Sequence, residues 1–112
     1  MAELVIQPAA SRYFKKLKDK QLKQLFKDTI SAILEDPDLG EMKQADLSGI
    51  RCVDVYYNKA NYEVAYRVVL VETEDEEGAE ETVVVIILAG TRENFYQELK
   101  RYIKSSTDSQ NN

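Results

Sequence analysis

Residues Thr82 to Ala89 read Thr-Val-Val-Val-Ile-Ile-Leu-Ala, an almost unbroken run of β-branched and aliphatic side chains. The apolar stretch is far too short to cross a bilayer. A run with no polar alternation is the pattern of a central strand buried on both faces. Gly90 is then expected to turn the chain. Upstream, Val53, Val55 and Tyr57 alternate with Asp54, Tyr56 and Asn58, and Tyr62, Val64, Tyr66 and Val68 alternate with Glu63, Ala65 and Arg67. Period two over both stretches marks two half-buried strands, from Ile50 and from Tyr62 to Glu72, with a tight reversal at Lys59-Ala60-Asn61. Glu72 to Glu81 holds seven acids in ten residues. It reads as a solvated hairpin loop; the alternatives are an acidic finger aimed at a basic partner, or a device that keeps a strand end from pairing.

The N-terminal third has a different period. Residues 3–7 form a short strand closed by Pro8. Ala10, Tyr13, Phe14 and Leu17 then make one apolar stripe at helical spacing, and Leu22, Leu25, Phe26, Thr29, Ile30 and Ile33 make a second after a break near Asp19. The second helix stops before Pro37, because the residue preceding proline disfavours helical angles. Residues 38–49 are polar and irregular. Thr91 is placed to cap a last helix through Phe95, Leu99, Tyr102 and Ile103, with Lys100, Arg101 and Lys104 complementing its C-terminal dipole. The expected architecture is α+β: one domain over residues 1–104, a helical hairpin packed on a small antiparallel sheet, in the order β-α-α-β-β-β-α. Residues 105–112 are expected to be a polar, disordered tail.

Composition narrows the function classes. A chain of 112 residues supports one hydrophobic core. A single cysteine, Cys52, makes no internal disulfide and fits a reducing compartment, and the N-terminus shows no signal-peptide pattern, so a cytoplasmic protein is expected. Histidine is absent, and neither a calcium-loop pattern nor a glycine-rich phosphate loop is present, so neither metal nor cofactor is expected. The net charge of −5 conceals an asymmetry: residues 1–34 carry seven basic and three acidic side chains, the remainder eight basic and seventeen acidic. Only a local lysine stripe has the character of a nucleic-acid footprint.

Element order and length, with Tyr62-Glu63-Val64-Ala65-Tyr66-Arg67-Val68, Val85-Ile86-Ile87-Leu88-Ala89-Gly90-Thr91-Arg92 and a tyrosine, Tyr96, following Arg92, resemble the RelE/ParE superfamily of toxins. Leu34-Glu35-Asp36-Pro37 and Leu47-Ser48-Gly49 fit the same pattern over residues 3–104. The resemblance implies the toxin of a type II toxin–antitoxin pair, with a cognate antitoxin as partner. For RelE-like members it further implies metal-independent cleavage of mRNA on the ribosome by attack of the substrate's own 2′-hydroxyl. Arg92 and Tyr96 carry over directly. Asp54, Tyr56 and Glu63 stand where RelE-like members have two strand lysines and an arginine.

The candidate catalytic set is therefore Arg92, Tyr96, Glu63, Asp54, Tyr56 and Arg67, with Lys15, Lys16, Lys23 and Lys27 as candidate RNA contacts. Each has a plainer reading. Arg92 is a helix-start surface residue, Tyr96 packs in the core, and Glu63 pairs with Arg67. Asp54, Tyr56 and Glu63 form a wet sheet face, and the lysines a wet helix face. Three functions stay open: a ribosome-dependent mRNA endonuclease, a ParE-like toxin that inhibits DNA gyrase by contact, and a repurposed member that chiefly binds its antitoxin. An antitoxin is expected to lay an amphipathic helix or strand across the sheet and the apolar terminal helix. A homodimer is also open.

Overall fold

A computed structural model describes residues 2–73 and 78–110, with side chains described as far as Ile103. Strand β1 (Glu3–Ile6) leads into helices α1 (Pro8–Lys16) and α2 (Lys20–Glu35). Strands β2 (Glu41–Met42), β3 (Arg51–Tyr57), β4 (Ala60–Glu72) and β5 (Glu80–Thr91) follow, and helix α3 (Phe95–Gln110) closes the chain. The sheet order is β1-β5-β4-β3-β2. It is α+β as expected, but the sheet is mixed: β1 runs parallel to β5, and only the other pairs are antiparallel.

The second helix starts where Asp19 accepts hydrogen bonds from the backbone N–H groups of Gln21 and Leu22 at 3.0 and 3.2 Å, satisfying donors that have no partner within the helix. Its stripe Leu22, Phe26, Ile30 and Ile33 is buried with Val55, Val64, Tyr66, Val84 and Ile86. On the opposite sheet face, Phe95 and Leu99 of α3 pack with Cys52, Ala65, Ile87 and Leu88. β5 therefore has cover on both faces, as its sequence demands.

Several local features differ from expectation. Tyr57 pairs with Ala60, so the hairpin turn is Asn58-Lys59, both at positive φ (50° and 64°), the conformation that matches the twist of a two-residue hairpin. Gly90 does not turn the chain but pairs with Glu63, and Thr91 pairs with Tyr62. Helix α3 thus begins three residues later than a Thr91 cap would have it, and Arg92 sits on the bend before it. Lys100 and Arg101 lie within the helix, while the Lys104 side chain lies outside the described residues. The helix continues through residues 105–110, where an unstructured tail is expected from composition. Of the acidic stretch, residues 74–77 lie outside the described residues. Thr73 N–H donates to Ala79 O at 3.0 Å across its base.

Ala65 pairs with Leu88 and Tyr66 with Ile86, leaving Ile87 as an extra residue in β5. This bulge puts Ile87 and Leu88 together on the α3 face, with Ile86 and Ala89 on the other.

Candidate functional site

Alternation along β3 and β4 brings Cys52, Asp54 and Tyr56, and Glu63, Ala65 and Arg67, to the α3 face of the sheet. Asp54 and Glu63 are direct cross-strand partners, which sets their side chains next to each other. The first turn of α3 lays Tyr96 over them, its ring edge-on to buried Phe95 at 5.6 Å. The Tyr96 hydroxyl donates to Glu63 Oε1 at 3.0 Å.

Glu63 is the one charged or polar side chain buried among the described residues, at 2 % exposure. Its Oε2 has no hydrogen-bond partner there. Burial pushes its carboxyl above the ordinary range, and neighbouring Asp54 adds to the rise; Tyr96 and the Arg92 charge oppose it. A buried carboxyl of this kind holds a proton at higher pH than a free one, which suits it to proton transfer rather than to ion pairing. Burial also raises the Tyr96 phenol, with Lys43 opposing and Glu63 reinforcing the rise.

Lys43, just past β2, was not singled out from the sequence. Its N–H donates to Ile50 O at 2.9 Å, extending the ladder, and its ammonium lies 5.2 Å from the centre of the Tyr96 ring. Burial works to lower its pKa, but the hydrogen bond and charge of Tyr96, with Cys52 and Glu41, outweigh it and leave it raised. Beside them the Cys52 thiol is pushed up to about 12, mainly by burial and then by the Glu63 charge. That fits the buried apolar role expected of it and not that of a nucleophile.

The expected residues divide into two groups. Asp54, Glu63 and Tyr96 are together, Arg92 acts on Glu63 through its charge, and Tyr56 stands exposed at the rim. Arg67 does not join them. It is four residues from Glu63 along one strand, roughly 13 Å at a rise of about 3.3 Å per residue, so the expected Glu63–Arg67 pair does not form. Arg67 instead lines a small cavity with Gln7, Tyr102 and Ile103. Lys15, Lys23 and Lys27 lie on the helical hairpin, across the sheet from Glu63. They rim a groove of about 320 Å³ walled by Ile6, Phe14, Phe26 and Ile30. Lys16 is exposed and outside that groove.

A family model described as "ParE-like toxin of type II bacterial toxin-antitoxin system" matches residues 4–100. No curated protein matches the chain. Among solved structures, the free state of an Escherichia coli RelE mutant is 18 % identical, covers 95 % of this chain and 98 % of its own, and superposes with a TM-score of 0.66. The intact E. coli RelBE toxin–antitoxin complex is 18 % identical over 80 % and 95 % of the two chains, with a TM-score of 0.54. The RelBE2 toxin–antitoxin complex from Mycobacterium tuberculosis is 18 % identical over 81 % and 98 %, with a TM-score of 0.56.

Proposed function

Because this chain belongs to the ParE-like toxins of type II bacterial toxin–antitoxin systems, we propose that it acts in the cytoplasm by cleaving mRNA held on the ribosome. The observation that carries this reading is the Tyr96–Glu63 hydrogen bond, which joins a part-buried phenol to a buried carboxyl whose proton affinity burial raises. In the reaction the substrate's 2′-oxygen attacks the adjacent phosphorus. The 2′-O–P bond forms as the P–O5′ bond breaks, leaving a 2′,3′-cyclic phosphate and a 5′-hydroxyl. Asp54, exposed at the rim, accepts the 2′-hydroxyl proton. Tyr96 protonates the departing 5′-oxygen and is resupplied by Glu63. Arg92 takes up the charge that grows on the phosphate.

The exposed carboxylate of Asp54 repels free RNA, so orientation has to come from the ribosome. Purified protein is expected to cut mRNA on programmed ribosomes and to leave naked RNA intact. Arg92 is exposed and makes no ion pair with a described residue. Arg92→Ala should therefore melt with the wild type while cutting at least about tenfold more slowly, a loss of about 1.4 kcal/mol of transition-state stabilisation. Efficient cutting of naked RNA sinks the ribosome-dependent reading. The exposed Asp54 favours a second reading, a ParE-like toxin that binds DNA gyrase. Uncut mRNA together with inhibited supercoiling would select it.

Two of the similar structures are toxin–antitoxin complexes, which supports a cognate antitoxin as partner. Phe95 and Leu99 of α3 are already buried against the sheet, so the terminal helix offers less than expected. The lysine-rimmed groove is open, and its apolar walls and cationic rim suit an amphipathic helix with acids flanking its apolar side chains. The product of the neighbouring reading frame is expected to co-purify with the wild type and to be lost from a Lys23→Glu, Lys27→Glu double variant. Equal recovery with both would remove the groove as its docking site.

A further inference from the structure

Strand β2 is two residues long, yet it fixes a cation against the site. Glu41 pairs with Cys52 across the ladder, so Lys43, two residues on, returns to the face that carries Cys52 and Asp54. Its side chain is 22 % exposed and 3.9 Å from the Glu41 carboxylate, and its ammonium lies 5.2 Å from the Tyr96 ring centre. From this arrangement we infer that Lys43 is a positioning residue of the site, holding the Tyr96 ring over the sheet and easing loss of the phenolic proton.

The contact stands on geometry. Its consequence for cleavage rests on the nuclease reading given above. Tyr96 faces Glu63 from β4, Cys52 from β3 and Lys43 from the segment after β2. Asp54 and Arg92 act on Glu63, and Glu41 acts on Lys43. Of the groups acting directly on Tyr96, burial, Glu63 and Cys52 hold the proton on, and Lys43 alone favours its release. A cation beside a phenol stabilises the phenolate, and over the ring face it adds a cation–π attraction. Without Lys43, Tyr96 would be a poorer acid toward the leaving oxygen.

The test separates this role from simple packing. Lys43→Met keeps the aliphatic stem and its apolar contacts but removes the charge; Lys43→Arg restores the charge. The ζ-carbon resonance of labelled tyrosine, assigned to Tyr96 with Tyr96→Phe, is followed through an alkaline titration in each protein. The Tyr96 midpoint should move upward in Lys43→Met and return toward the wild-type value in Lys43→Arg. Cleavage on programmed ribosomes should fall at least roughly tenfold in Lys43→Met and recover with arginine. If Lys43→Met does not fold, Lys43→Gln serves the same comparison. An unchanged Tyr96 midpoint in the neutral variant overturns the inference whatever the cleavage result. A shifted midpoint in a wild type that cuts nothing retains Lys43 beside Tyr96 and removes the nuclease reading.

Discussion

Gly40→Ala is expected to destabilise the protein by about 3 kcal/mol and to lower its melting temperature by roughly 10 °C or more. The chain leaving α2 is fastened to the sheet at this point. Gly40 N–H donates to the Tyr66 hydroxyl at 2.7 Å, and that hydroxyl donates to Pro37 O at 2.7 Å. Arg51 donates to Gly40 O at 2.8 Å and Asp38 O at 3.2 Å. A Cβ on residue 40 would lie 2.8 Å from both Cε1 and the hydroxyl of Tyr66, and 3.1 Å from Arg51 Cβ. Tyr66 is fully buried and cannot swing aside, so the loop must lift and leave its hydroxyl unpaired. Because domains of this size have only about 5–15 kcal/mol to lose, the change should be plain in a melting curve. Leu39→Ala, at an exposed neighbouring position, should stay within about 0.5 kcal/mol of wild type. A Gly40→Ala protein that melts within a few degrees of wild type would show the Tyr66 clamp to be slack.

The same clamp bears on what could be read from the sequence. Period two placed Glu63 and Asp54 on one sheet face because alternation is local and survives any arrangement of neighbours. The helical stripes were legible for the same reason, and Leu22, Phe26, Ile30 and Ile33 are all buried. Lys43 was not, since a two-residue strand has no period to detect, and its place is set by pairing with Arg51 and Cys52. The bulge at Ile87 is hidden inside a run whose members are all aliphatic, where a one-residue shift alters no pattern. Thr91 is a good capping residue by type, but pairing with Tyr62 keeps it in the sheet. Arg92 is thereby moved out of the first turn of α3 and onto the bend before it. The lysines of α1 and α2 form a stripe in sequence, but only the fold shows Phe14 and Phe26 lying between them in a groove. Their separation from Glu63 by the whole sheet is a fact of packing that no helical spacing encodes.

Glu63→Gln is expected to lower cleavage by about a hundredfold while raising stability at neutral pH. Glutamine has the shape of the protonated carboxyl and still offers Oε1 to the Tyr96 hydroxyl, but it has no proton to pass on. Glu63 is pushed upward in the folded protein, first by burial and then by Asp54, whereas an unfolded glutamate titrates at about 4.3. Between that value and the raised one, the folded chain keeps a proton that the unfolded chain has released. Stability therefore falls as pH rises through this window, and levels off above the folded pKa. The glutamine variant lacks this slope, so the two proteins should be closest in stability at the acid end and diverge toward neutrality, with the variant the more stable. Urea denaturation at about pH 5 and about pH 7.5 measures the divergence, and programmed ribosomes measure the cleavage. A variant that is less stable than wild type at the higher pH would mean that ionised Glu63 is the stabilising form, held by Arg92 and Tyr96. A variant that still cuts at the wild-type rate would remove Glu63 as the source of the Tyr96 proton and leave the hydrogen bond between them purely architectural.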